Sequence, residues 1–194
     1  MVAIGVSGHR VLAEQRKLEA GLDAVASRIA AAFPGEPWTV ISALAEGADR
    51  LVAHRLLARS GTRLVAVLPL AADDYETDFT TAASRQEFRS LLDGADEVIE
   101  IAPQASRDAA YEAAGRKVLD RTDVLVTIWD GQGAQGQGGT AAVIAQAREL
   151  GMPLAWVHAG NRRPETLEPT SLGAEQGAVT FERLPDDGRG EQRP

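Results

Sequence analysis

The sequence predicts an α/β protein in which a mainly parallel sheet is doubly wound, with helices on both faces. Short apolar runs rich in Val, Ile and Leu alternate with longer segments whose apolar residues recur at helical spacing. Strands that alternate with helices favour right-handed crossovers and parallel pairing. The chain has 194 residues, of which 44% are hydrophobic, and this is enough for one domain with a sizeable core.

The first part of the chain is predicted to contain three strands and two helices. Residues 2–6 form an apolar run that ends at a glycine turn, which is typical of a strand. A helix is predicted over residues 12–33, because apolar residues recur every three or four positions until a Pro-Gly pair. The next elements are a strand at 38–41, a helix at 48–59 that a glycine ends, and a strand at 63–68 that a proline ends.

The same alternation continues through the middle of the chain. A polar loop at 71–81 precedes a helix near 83–92. The later elements, in the order strand, helix, strand, helix, strand, are predicted at 97–101, 107–121, 123–129, 140–150 and 153–157.

The composition divides the chain after this alternation. Residues 1–158 are assigned to one domain. Residues 159–194 are an extension rich in Gly, Pro, Glu and Arg. Within it, residues 178–184 are a candidate edge strand, and residues 185–194 are expected to be a mobile tail.

Composition and charge exclude several classes of function. The chain has no cysteine, which excludes disulfides, thiolate metal sites and a cysteine nucleophile. A net charge of -8 opposes broad attraction to nucleic acid or to an anionic membrane, although a local pocket can still be positive. We find no signal-peptide pattern, no apolar run of membrane length and no metal-ligand spacing. We therefore expect a cytoplasmic protein without a metal or a cofactor.

The strongest candidate for a binding site is the glycine-rich segment between the strand at 123–129 and the helix that follows it. Gly138 and Gly139 expose backbone N–H groups, and a helix amino end beside them favours an anion. Thr140 is the predicted N-cap of that helix. Trp129 is placed to stack on a base, and Asp130 closes the strand. The alternative is a flexible surface loop.

A second glycine turn follows the first predicted strand. In Ser7-Gly8-His9-Arg10, Gly8 allows close backbone approach, His9 can donate or stack, and Arg10 can pair with a phosphate. The alternative is a tight turn with solvated polar residues.

Two further segments carry candidate residues. Gly47 and Ala48 leave the start of a helix unobstructed, and Asp49 follows in the first turn. Asp49 either satisfies free helical N–H groups, accepts hydrogen bonds from ribose hydroxyls, or holds Arg10. Arg85 either closes over a ligand from a mobile loop or forms an ion pair on a helix surface.

Taken in order, these segments resemble the SLOG superfamily, which unites DNA-processing-protein-A-like and LONELY GUY-like proteins. The resemblance covers roughly residues 2–157 and is closest to a branch found in bacterial defence and signalling proteins. The matching segments are 6–10, 44–50, 84–88, 123–126, 129–131 and 138–140. The resemblance implies a Rossmann-like fold and a homodimer. It also implies a cleft in which these loops surround a phosphorylated nucleoside.

One position departs from the LONELY GUY enzymes, which hydrolyse the N-glycosidic bond of a nucleoside monophosphate. Those enzymes carry a glutamate three residues after the Gly-Thr pair, where this chain has Val143. A nearby carboxylate stabilises the cation-like transition state, and valine cannot do so. We therefore expect binding or sensing of a nucleotide or nucleotide-derived phosphorylated ligand.

Two other functions stay open as alternatives. The first is a LONELY GUY-like nucleoside 5'-monophosphate phosphoribohydrolase, for which Glu46, Asp130 and Arg85 are the weak catalytic candidates. The second is binding of single-stranded DNA. The acidic charge opposes it, as does the lack of a groove of basic and aromatic residues.

Overall fold

A computed structural model describes residues 1–133 and 139–185, and it confirms the α/β fold. The described residues form one sheet of seven strands, of which the first six run parallel and the last is an antiparallel edge strand. In chain order the strands are β1 (Val2–Gly8), β2 (Trp38–Ser42), β3 (Arg63–Leu68), β4 (Glu97–Glu100), β5 (Val124–Trp129), β6 (Leu154–His158) and β7 (Val179–Glu182). Their order across the sheet is β4-β3-β2-β1-β5-β6-β7.

Helices cover both faces of this sheet. In chain order they are α1 (Gln15–Ala32), α2 (Ala48–Leu57), α3 (Ala72–Glu76), α4 (Ala82–Asp93), α5 (Arg107–Asp120) and α6 (Thr140–Glu149). Successive residues of β5 belong to different hydrophobic clusters, because their side chains point to opposite faces of the sheet. Val126 packs in the cluster that contains α1 and α2, whereas Leu125 packs in a cluster with α6. The sheet is therefore doubly wound, as predicted. In the described part of the chain, no helix is long and apolar enough to cross a membrane.

The segment at 71–81 differs from the polar loop predicted there. It contains the short helix α3, and its two aromatic side chains, Tyr75 and Phe79, are buried. These rings lie 5.0 Å apart between centroids and pack with Phe88 of α4. One helical turn with two buried residues has no detectable periodicity, because a period needs several repeats to be recognised.

The winding of the sheet reverses at its centre. Strands β1 and β5 are neighbours, with the register running from Ile4–Val124 to Gly8–Ile128. The helix after β1 lies on one face of the sheet, and the helix after β5 lies on the other. In open α/β sheets, ligands bind beyond the carboxyl ends of the strands at this kind of reversal. The fold thus brings the predicted loops after β1, β2 and β5 to one edge.

The loop after β1 fits closely against the amino end of α2. The Ala48 N–H donates to the carbonyl of His9 at 3.0 Å. Gly47 has a φ of 78°, and a Cβ at this position would lie 2.3 Å from the Arg10 carbonyl oxygen. Only glycine combines this backbone angle with so close an approach. The two loops are therefore interlocked through their backbones.

We expect Gly47→Ala to lower the free energy of unfolding by at least about 3 kcal/mol, since it adds a backbone clash to a strained φ. The matched control is Gly61→Ala, because Gly61 has a φ of 80° but nothing within 4 Å of an added Cβ. In that control the free energy of unfolding should fall by only about 1 kcal/mol. Urea unfolding measures both changes. An equal fall in the free energy of unfolding in the two variants would show that the close contact of the two loops contributes nothing to stability.

Candidate functional site

A cleft of about 700 Å³ opens at the carboxyl ends of the strands, where the winding reverses. This volume falls in the range typical of small-molecule sites. Its walls come from the loops after β1, β2 and β3, from the first turn of α2, from α3 and α5, and from the length of α6. Six of the predicted binding residues line it: Ser7, Gly8, Arg10, Asp49, Gly139 and Thr140. The predicted residue Gly138 lies outside the described residues.

Arg10 supplies a cation to this cleft. Its guanidinium lies over the ring of Tyr111, 5.4 Å from the ring centroid, and its side chain is exposed. Within residues 1–133 and 139–185, no carboxylate forms an ion pair with that guanidinium, and the Tyr111 hydroxyl is a side-chain hydrogen-bond partner within its reach. Most arginines of the described chain are paired, as Arg116 of the same cleft is with Glu112 at 3.0 Å. Arg10 is therefore available to an anionic ligand.

Asp49 lies at the floor of the cleft and is only 6% exposed. Its Oδ2 accepts hydrogen bonds from the Ser42 hydroxyl at 3.2 Å and from the Ala45 N–H at 3.4 Å. Burial raises the pKa of the Asp49 carboxyl to about 6, although these hydrogen bonds and the charge of Arg10 act in the opposite direction. Asp49 thus supports the loop before α2 and retains capacity to accept further hydrogen bonds.

The amino end of α6 opens onto the same cleft. Gly139, with a φ of 84°, is the N-cap residue, and Thr140 is the first residue of the helix rather than the predicted N-cap. No side chain of the described residues caps this end. The positive end of the helix dipole therefore faces the cleft that Arg10 also lines. Val143, one turn further along α6, presents an apolar side chain to the cleft.

Tyr75 and Tyr111 also line the cleft, and the sequence reasoning missed both. Tyr75 is 1% exposed, and its ring centroid lies 6.3 Å from that of Tyr111. The Tyr111 hydroxyl donates to the carboxylate of Asp78. The available signal was the pair of aromatic residues four positions apart, Tyr75 and Phe79, inside a segment that otherwise reads as polar.

His9 joins the loops after β1 and β5 and does not line the cleft. Its Nε2 accepts a hydrogen bond from the Asp130 N–H at 3.0 Å, and the backbone N–H of His9 donates to the Ile128 carbonyl at 3.0 Å. The Asp130 carboxylate oxygen Oδ1 also lies 3.2 Å from Nε2. Burial lowers the pKa of His9 despite the opposing effect of the Asp130 carboxylate. His9 therefore positions the two loops that flank the cleft.

Trp129 and Asp130 likewise lie away from the cleft wall. Trp129 is 5% exposed and packs against Trp156, with the ring centroids 5.2 Å apart. Its indole lies in the hydrophobic cluster beneath α6 rather than along the cleft. The Asp130 carboxylate accepts the Gln132 N–H at 3.0 Å, which folds the start of the following loop.

Glu46 and Arg85 belong to a separate polar network next to α4. Glu46 accepts a hydrogen bond from the Ser84 hydroxyl, and the nearly buried Arg50 donates to the Ser84 carbonyl at 2.8 Å. Arg85 donates to the carbonyls of Phe79 at 2.8 Å and Thr80 at 3.2 Å. These bonds tie the loop before α2, the helix α2 and the segment after α3 to α4. Neither Glu46 nor Arg85 lines the cleft.

Gly47 and Ala48 act through the backbone interlock described above, since neither lines the cleft.

The outer part of the cleft is acidic, with carboxylates at Asp108, Glu112 and Glu149. Its charge is therefore uneven, with a free cation near the strand ends and carboxylates along α5 and α6. In the described ranges, no group of three or more His, Asp or Glu side chains could hold a metal ion.

No protein-family model matches this chain, and a comparison with curated proteins finds no match. Function is therefore inferred from the residues of the cleft.

The raised pKa of Asp49 makes folding stability depend on pH. Between about pH 4 and pH 6, the folded state holds a proton on Asp49 that the unfolded chain has released. The free energy of unfolding therefore falls as pH rises through this window. Between pH 4 and pH 7, we expect the free energy of unfolding to fall on the order of 2 kcal/mol further in wild type than in Asp49→Asn.

Urea unfolding over that pH range measures the difference. Glu112→Gln is the control, because it removes an exposed carboxyl from the same cleft. Parallel pH curves for wild type and Asp49→Asn would contradict the prediction.

Proposed function

We propose that this protein binds a nucleotide or a nucleotide-derived phosphorylated ligand in the cleft, as a sensor or binding module. The observation that carries the proposal is that Arg10 and the amino end of α6 both line the same cleft at the reversal of the sheet. In the described residues, Arg10 forms no ion pair with a carboxylate, and no side chain caps this end of α6.

Physical chemistry supports an anion at this position. A guanidinium forms charge-assisted hydrogen bonds to phosphate, frequently two at once. The N–H groups and dipole of a helix amino end add attraction for the same group. Because the site is local, the net charge of -8 does not prevent it.

The volume of the cleft beyond the anion position supports a ligand larger than an inorganic anion. Tyr75, Tyr111 and Asp49 add aromatic and polar surface beside Arg10. A mostly apolar pocket with a few converging polar groups is typical of sites for small organic molecules. The resemblance to the SLOG superfamily supports the same ligand class. A homodimer, a cytoplasmic location and a bacterial signalling role are proposals that depend on that resemblance.

Hydrolysis of a nucleoside monophosphate is the second candidate, and Asp49 is the observation that favours it. Of the cleft carboxylates, Asp49 is the buried one, and its pKa of about 6 suits proton exchange near neutral pH. The binding role is preferred because Val143 stands where related enzymes carry glutamate. In addition, the predicted catalytic candidates Glu46, Asp130 and Arg85 do not line the cleft.

We expect calorimetric titration to detect binding of AMP or ADP-ribose by wild type. Arg10→Gln should weaken that binding at least about tenfold, through loss of charge-assisted hydrogen bonds. The control is Arg59→Gln, because Arg59 is also exposed and lies over an aromatic ring, that of Trp38, at 4.5 Å. The control should bind as wild type does. Absence of binding in wild type, or equal affinity in wild type and Arg10→Gln, would overturn the proposal.

The two candidate functions differ in their products. If the protein only binds, AMP incubated with a high concentration of protein should release no adenine, as measured by chromatography. Release that Asp49→Asn abolishes while AMP binding persists would establish hydrolysis instead.

A further inference from the structure

Tyr75 contributes a hydroxyl group to the cleft wall. Tyr75 is 1% exposed, and edge-on contacts with Phe79 and Phe88 hold its ring at centroid distances of 5.0 Å and 5.6 Å. In the described part of the chain, no group forms a hydrogen bond with its hydroxyl. This oxygen is not one of the fully buried unpaired atoms of the described residues, so it reaches the open space of the cleft, where a bound group can pair with it.

The Tyr75 hydroxyl and Asp49 act on the same region of the cleft. Both residues line it, and both are at least nine-tenths buried. Burial and the nearby Asp49 charge raise the pKa of Tyr75, so the phenol stays protonated and can donate a hydrogen bond. Asp49 uses Oδ2 for two protein hydrogen bonds, and a carboxylate has about four acceptor positions. The Tyr75 hydroxyl is therefore left as a donor, and the Asp49 carboxylate as an acceptor, for a ligand.

Adjacent hydroxyl groups fit this pair of residues. Each hydroxyl of a vicinal diol can donate one hydrogen bond and accept others. One can donate to the Asp49 carboxylate while its neighbour accepts from the Tyr75 hydroxyl. Arg10 lies near both groups, since its guanidinium packs over Tyr111, whose ring neighbours that of Tyr75. A ribose that carries a phosphate offers a diol and an anion within one short molecule.

We propose that Asp49 and Tyr75 bind the 2'- and 3'-hydroxyls of ribose, so that the cleft selects ribonucleotides over deoxyribonucleotides. This inference rests on the proposed function, because it places the ribose of the phosphorylated ligand whose anion Arg10 binds. A site that has polar groups for a hydroxyl rejects the analogue without it, because those buried groups are then left unpaired.

The test compares the affinities of AMP, 2'-deoxy-AMP and 3'-deoxy-AMP by calorimetric titration. Wild type should bind AMP at least about tenfold more tightly than either deoxy analogue. Tyr75→Phe should weaken AMP binding about tenfold and bring the affinity for AMP close to that for one of the two analogues, because Asp49 still recognises the other hydroxyl. Arg10→Gln should weaken all three by the same factor and keep their ratio.

Tyr111→Phe is the matched control, since it removes a tyrosine hydroxyl of the same cleft that is already bonded to Asp78. It should keep the ratio between AMP and the deoxy analogues. Tyr75→Phe retains the aromatic ring and its packing, and thermal unfolding should verify that it folds. Asp49→Asn is the second variant, and it should reduce the ratio between AMP and the other deoxy analogue, which Tyr75→Phe still discriminates.

The outcomes separate the two proposals. Equal binding of AMP and both deoxy analogues by wild type would overturn the ribose inference and leave the proposed function standing. Unchanged discrimination in Tyr75→Phe and Asp49→Asn would also overturn the inference. Absence of binding to AMP, ADP-ribose and ribose 5-phosphate would overturn both proposals.

Discussion

Backbone contacts on both sides of the loop after β1 set the geometry on which the cleft depends. On one side, Gly47 and Ala48 meet the carbonyls of this loop so closely that no side chain fits between them. On the other side, His9 accepts the Asp130 N–H. The loop is therefore held against both α2 and β5, and Arg10 is the residue that follows. A cation on a fixed segment loses less conformational freedom when an anion binds.

Residues that look functional in the sequence have two different roles in the structure. His9 and Trp129 hold the loops and the core in place, because their side chains are buried against protein groups. Arg10, Asp49 and Tyr75 instead present polar atoms to the cleft. Polar groups that pair within the protein hold its segments together, whereas polar groups that face a cavity can pair with a molecule that enters it.

The long elements were predictable from the sequence, and the short ones were not. Helices such as α1 bury one face repeatedly, so the period of their apolar residues reveals them. Helix α3 has five residues, and its packing through Tyr75 depends on aromatic partners from α4. The cap of α6 was assigned to Thr140 on residue preference, but the positive φ of Gly139 makes glycine the N-cap.

The doubly wound α/β fold, and three of the loops that meet at the cleft, can be predicted from the amino-acid sequence. Alternating patterns are local, and parallel strands carry their following loops to one edge of a sheet. Which side chains of those loops face the cleft depends on the folded chain. Arg10 and His9 are neighbours in the chain, yet one lines the cleft and the other is buried against β5. That difference arises from contacts between segments distant in sequence, which no local pattern encodes.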